Sequence, residues 1–138
     1  MILSRECDYS LRIIRVLADG NKKAVKTICG EENIPNPYTY KLLKKLEHSG
    51  FVKSIRGREG GYMLARDLDS FTMYDVLFAI NPNLFFLECL KEGHNNCPQQ
   101  KKGGKECRYH AAFLHMQKVF EDEMRRKTMK EILEAALP

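Results

Sequence analysis

Tryptophan is absent from the 138 residues. No apolar run approaches the ~20 residues of a membrane span. The N-terminus has neither the apolar core nor the small-residue cleavage site of an export signal, so a cytoplasmic protein is expected. Nothing resembles a nucleophile beside a base or a glycine-rich phosphate loop, and no enzyme is expected. C-x2-C knuckles, usual in closed structural zinc sites, are missing. The cysteine count is five, which is odd and argues against a disulfide framework. Length and an ordinary 43% hydrophobic content suit one domain with an appendage.

What is present is positive charge, unevenly placed. The net charge is +5, yet residues 1–66 hold 13 Lys/Arg against 7 Asp/Glu, and residues 67–138 hold 10 against 11. The excess surrounds residues 34–66. There Asn36 suits an N-cap and Pro37 a first helical position. Tyr40, Leu43 and Leu46, with Leu42 beside them, suggest an inward stripe, leaving Lys41, Lys44 and Lys45 mostly outward. Gly50 suits a left-handed cap. Two strands follow, 51–56 and 62–65, around the turn Gly57-Arg58-Glu59-Gly60-Gly61. A basic helix followed by a basic-tipped hairpin predicts a winged helix-turn-helix. Tyr38, Thr39, Tyr40 and Lys44 would read the major groove, and Ser54, Arg56, Arg58, Gly60 and Gly61 would meet the minor groove or backbone.

Around this stretch, 1–20 reads as a first helix capped by Ser4, with Leu11, Ile14, Leu17 and Ala18 inward. A weakly specified helix, 25–33, precedes the basic one; Cys29 reads there as a small core hydrophobe. Thr72 to Asp75 and Thr128 to Glu131 read as capping boxes. Residues 84–87 should pack back on the core. Residues 107–127 form the longest helical pattern, with Phe113, Met116, Phe120 and Met124 in a stripe and Val119 beside it. That stripe suggests a dimer helix, followed by a short terminal helix. The expected fold is mostly α with a small β-hairpin: a DNA-binding unit over 1–87, a loop over 88–106, and dimerisation and C-terminal helices over 107–138.

The loop carries Cys89 and Cys97 and ends at Cys107, spaced C-x7-C-x9-C, with His110 three residues on. Three thiolates around a flexible loop can converge on iron–sulfur, zinc or copper(I).

Taken together the chain resembles the Rrf2 family of bacterial winged-helix regulators over almost its whole length. The residues that carry the likeness are Asp8-Tyr9-x-Leu11-Arg12, Ile34-Pro35, Leu42-x-x-Lys45-Leu46 and, above all, Gly50 to Ala65 (GFVKSIRGREGGYMLA). The resemblance implies a homodimer on a palindromic operator. It implies a 2Fe–2S or 4Fe–4S cluster on Cys89, Cys97 and Cys107, whose state tunes DNA affinity, most simply in a repressor. The signal would be iron–sulfur sufficiency, nitric oxide, oxygen or iron. NsrR-like members add an N-terminal aspartate from the partner, matched by Asp8. IscR-like members add a histidine, matched by His110. The longer loop leans toward Asp8. Two alternatives stay open: a cluster-free CymR-like regulator gated by a partner protein, and the same fold with zinc on the thiols.

Overall fold

The computed structural model describes residues 3–94, 97–101 and 107–138. The expected helix start at residues 1 and 2, and the parts of the expected cysteine loop at 95, 96 and 102–106, lie outside the described residues. Helix α1 (Arg5–Val16) begins where Ser4 can cap it, its hydroxyl accepting from the Cys7 amide at 3.3 Å. Its buried face holds Cys7, Ser10, Ile13, Ile14 and Leu17. Leu11 and Ala18, expected inward, are half-buried at its edges. Helix α2 (Val25–Glu32) has no side-chain cap and ends at Asn33, whose φ of 51° turns the chain toward the next helix.

Helix α3 (Asn36–His48) starts one residue earlier than expected. Pro35 takes the N-cap position, Asn36 is the first helical residue and Pro37 the second. Thr39, Leu42, Leu43 and Leu46 are buried, whereas Tyr40 is 53% exposed. The sequence reading of Tyr40 as inward is therefore corrected. Steps of three residues drift by about 60° each on a helix of 3.6 residues per turn, so a 40–43–46 row cannot stay on one face. The row 39–42–43–46 can.

At its C-terminus α3 makes a Schellman motif. Gly50 takes φ 81°, its amide donates to the Glu47 carbonyl at 3.0 Å, and the Phe51 amide donates to the Leu46 carbonyl at 2.9 Å. Phe51 is thereby driven into the core, where it meets Phe71 edge-on, and the Arg66 guanidinium lies over both rings. Strand β1 (Val52–Ile55) follows directly and pairs antiparallel with β2 (Gly61–Leu64), from Val52 opposite Leu64 to Ile55 opposite Gly61.

A third backbone segment completes this sheet. Lys23 and Tyr62 exchange two amide–carbonyl bonds, each 2.9 Å, so the linker between α1 and α2 flanks β2. Gly61 exists for this contact. A Cβ there would stand 2.2 Å from the Lys23 carbonyl oxygen, and one at Gly60 would stand 2.5 Å from the Ile55 oxygen. Close backbone approach within the wing is the physical reason for both glycines.

Helix α4 (Met73–Ile80) opens with the expected capping box between Thr72 and Asp75. Leu84 is buried and Phe86 packs on Phe113 and Phe120, so the 84–87 run does fold back. The expected loop contains a 3-10 turn (Glu88–Leu90) and a short helix, α5 (Pro98–Lys101). Helix α6 (Arg108–Arg125) divides the stripe read from the sequence. Phe120 and Met124 pack on the chain's own core and Phe113 on Phe86, while Met116 and Val119 are exposed. The inward row is 113–117–120–124, half-buried at Phe113 and Phe120 and buried at Gln117 and Met124, and Gln117 occupies the position that hydrophobic periodicity cannot see. Its amide donates to the Leu84 carbonyl at 2.7 Å and its oxygen accepts from the Phe86 amide at 3.0 Å. Helix α7 (Met129–Glu134) starts at the second expected capping box and puts Met129 into the same core.

Two glycine substitutions separate conformational strain from steric contact. Gly50→Ala has open space for its Cβ and meets only the left-handed backbone, a cost of about 1–2 kcal/mol. Gly61→Ala forces two backbones apart and should cost about 1–3 kcal/mol or more. Denaturant midpoints should rank Gly61→Ala below Gly50→Ala. Hydrogen exchange at the Lys23 amide should quicken selectively in Gly61→Ala.

Candidate nucleic-acid interface and thiol segment

Helix α3 lies across α1 and α2 with its outer side in solvent. Pro37, Lys41, Lys44 and His48 fall on that side, and Tyr38 and Tyr40 flank it, 41% and 53% exposed. Tyr38 is steadied by an edge-on contact with Tyr9, whose ring the Arg12 guanidinium overlies. Of the predicted readers, Tyr38, Tyr40 and Lys44 are exposed. Thr39 is not: its side chain is fully buried, and its hydroxyl donates to the Pro35 carbonyl at 3.2 Å. It fixes the first turn of α3 and cannot touch a base edge. Cys29, expected in the core, sits half-buried at the same corner, its sulfur 2.8 Å from Asn36 Oδ1 and 3.2 Å from Thr39 Oγ1.

The wing is fastened to this helix. Glu47 near the end of α3 accepts from the Ser54 hydroxyl at 2.7 Å and from its amide at 3.3 Å. Ser54 is thus engaged in holding the hairpin against α3. Arg56 and Arg58 are exposed at the tip; Gly60 and Gly61 lie half-buried at its base. Lys44, Arg56 and Arg58 make no ion pair among the described residues, so all three charges face solvent.

Sequence reasoning missed a carboxylate at this surface. Glu6 in the first turn of α1 holds two α3 lysines, Lys41 at 2.5 Å and Lys45 at 2.8 Å. Hydrogen bonds from Lys41 and then Lys45 hold the Glu6 carboxyl below its ordinary range, and the bond from Glu6 raises Lys41. No local sequence signal joins position 6 to positions 41 and 45; only the packing of α1 on α3 does.

The thiol segment is less assembled. Cys89 lies in the 3-10 turn, Cys97 just before α5, and Cys107 at the N-cap of α6, where its sulfur accepts from the His110 amide at 3.4 Å. All three are half-buried, and among the described residues no cysteine is disulfide-bonded. Asp8 is on the exposed side of α1 and accepts two bonds from Arg12, at 2.9 and 3.1 Å. By donor type, three thiols with a carboxylate or imidazole suit iron or zinc. By placement they do not: among the described residues no three of His, Cys, Asp and Glu come together as metal ligands.

The Glu6 pairing predicts an acid response. A carboxyl whose folded-state pKa is depressed contributes stability above its ordinary value of 4.5, and loses it as pH falls through the folded value. Between pH 5 and pH 3, wild type should therefore lose more stability than Glu6→Gln, as read from thermal midpoints at each pH.

The profile of the Rrf2 family, described as iron-dependent transcriptional regulators, matches residues 3–135. A Haemophilus influenzae protein provisionally named an HTH-type transcriptional regulator is 30% identical over 120 residues, covering 87% of this chain and 76% of that one. The HTH-type transcriptional regulator NsrR of Bacillus subtilis is 30% identical over 100 residues, covering 70% and 68%. Across the relatives compared, the match spans between 48% and 92% of their length. The structure of CymR, the global cysteine regulator of B. subtilis, superposes with a TM-score of 0.74 at 22% identity, covering 98% of both chains. Among the described residues no helix is long and apolar enough to cross a membrane. The mostly helical fold with its two-stranded wing, and the profile match over nearly the whole chain, place this protein in the Rrf2 family of DNA-binding transcriptional regulators, which are not enzymes.

Proposed function

We propose that the chain acts in the cytoplasm as a homodimeric repressor of a palindromic operator. Its thiol segment would hold an iron–sulfur cluster that reports iron–sulfur sufficiency, nitric oxide, oxygen or iron. The observation that carries the DNA reading is the contiguous outer surface of α3 and the wing, locked together through Glu47 and Ser54. Tyr38, Tyr40 and Lys44 would enter the major groove. Arg56 and Arg58 would follow the adjoining backbone or minor groove, where narrowing deepens the negative potential. Thr39, Ser54, Gly60 and Gly61 serve the same surface from behind, by fixing its shape.

Two unpartnered apolar faces support the dimer. The outer edge of α6 exposes Tyr109, Met116 and Val119. A groove between α1 and α7 is lined by Leu11, Met73, Met129, Ile132 and Leu133, together with the charged Asp8, Arg12 and Arg15. A second copy of the chain can cover both in a reciprocal, two-fold arrangement, which matches two operator half-sites.

For the cofactor, Cys89, Cys97 and Cys107 supply the thiolates, with Asp8 of the partner or His110 as the remaining donor. The iron-dependent description of the family supports this set. An iron–sulfur cluster bound there would supply one-electron redox chemistry. The separation of the thiols in a single chain favours keeping the cluster-free, partner-gated reading as the second one.

Three outcomes are expected. Met116→Glu with Val119→Glu should give a monomer by sedimentation, and operator affinity should fall about a hundredfold or more as one half-site no longer tethers the other. Arg58→Ala should weaken binding to all sequences and reduce the salt slope by about 1 if the arginine touches phosphate alone. Protein purified without oxygen should absorb in the visible, with matched iron and sulfide, and Cys97→Ser should abolish this without changing the far-ultraviolet circular dichroism. A colourless protein that resists anaerobic reconstitution would move the assignment to zinc, if zinc is found, or to the cluster-free regulator.

A further inference from the structure

Lys41 stands on the solvent side of α3, beside Lys44, where a DNA backbone or groove would meet it. Lys45 stands one step toward α1. Both ammonium groups are nevertheless occupied by one carboxylate, Glu6, whose own side chain is 25% exposed and open to competition. The pairing is not needed to hold α3 in place. Leu42, Leu43 and Leu46 are fully buried beneath it, and partly exposed ion pairs contribute little to stability.

The consequence lies in the charge α3 offers to DNA. A phosphate approaching Lys41 or Lys45 must compete with the Glu6 carboxylate, whose single negative charge cancels one of the two positive charges α3 would otherwise offer there. On random sequence that release is nearly the whole driving force. On a cognate site, base-edge contacts add to it. A fixed carboxylate at this position therefore weakens the electrostatic affinity on which random-sequence binding depends.

We infer that Glu6 attenuates the phosphate-driven affinity of the DNA-facing helix, holding down binding to non-cognate DNA by sequestering Lys41 and Lys45. This rests on the reading of α3 as that helix. The separation from the thiol segment is complete, since neither lysine nor Glu6 belongs to the candidate donor set.

The test is the salt dependence of binding to a random-sequence duplex, measured by fluorescence anisotropy for wild type, Glu6→Gln, Glu6→Ala and the triple variant Glu6→Gln/Lys41→Gln/Lys45→Gln. Glu6→Gln should steepen the log–log salt slope by about 0.9, from the one net positive charge it unmasks, and should tighten random-sequence binding by about threefold or more at low salt. The triple variant should fall to the wild-type slope or below it, because both lysines are gone along with the carboxylate. Glu6→Ala guards against an effect peculiar to the glutamine. An unchanged or shallower slope in both single variants would overturn the inference, and would mean that Glu6 only steadies or orients the lysines. Absence of salt-dependent duplex binding by wild type itself would instead overturn the reading of α3, and the inference with it.

Discussion

The left-handed turn at Gly50 is the constraint on which the rest of the DNA-binding half depends. A helix that must present one face to DNA has to end where the wing can begin, with no slack between them. Gly50 achieves this in one residue. Its φ of 81° satisfies two otherwise orphaned carbonyls of α3 and sends Phe51 straight into the core. With Phe51 anchored, β1 has a fixed origin; with Ser54 bonded to Glu47, it has a fixed tilt. The backbone bridge from Lys23 to Tyr62 then pins β2 from its other side. Under the proposed reading of α3 as the DNA-facing helix, helix and wing form one rigid piece, and little entropy remains to be lost when DNA binds.

Charge on this piece is arranged by selection rather than abundance. The first 66 residues carry the whole positive excess, but much of it is paired internally. Arg12 is held by Asp8, Arg15 by Glu32, Lys23 by Asp19 and Glu31, and Lys41 and Lys45 by Glu6. Among the site candidates, Lys44, Arg56 and Arg58 have no such partner among the described residues. Composition therefore overstates how many phosphates the surface can engage, and pairing, not count, decides it.

Local physics was legible in the sequence wherever one residue has one conformational job. Gly50, the caps at Ser4, Thr72 and Thr128, and the presence of the hairpin were all readable because each depends on neighbours within a few positions; its register was not, since Gly61, read as turn, pairs with Ile55 in the sheet. Three further features were not. Tyr40 falls in line with Leu43 and Leu46 because steps of three resemble helical spacing over a short span, although the drift carries it to solvent. Gln117 was invisible because a polar residue that is buried by bonding to Leu84 and Phe86 leaves no mark in an apolar pattern. Glu6, and the Lys23 partner of Gly61, involve contacts across 35 or more residues, which only the tertiary arrangement supplies. The stripe on α6 was half legible: its apolar arc is wider than one interface needs, and the sequence cannot say which edge the chain keeps for itself.

The same geometry limits how any signal could act. The reader helix and wing are fastened at both ends, so a signal has little freedom to reshape them within one subunit. In the proposed dimer, what remains adjustable is the angle between two such pieces, and the faces available to set it lie on α1, α6 and α7. An effector changes DNA affinity only by the difference in its free energy between binding-competent and incompetent states. The candidate donors sit where that difference can arise. Asp8 is on the groove-lining side of α1, and Cys107 and His110 open α6, whose outer edge is unpartnered in the single chain. A donor set divided between these elements is sensitive to how two chains meet, whereas a set closed within one chain would report only on itself.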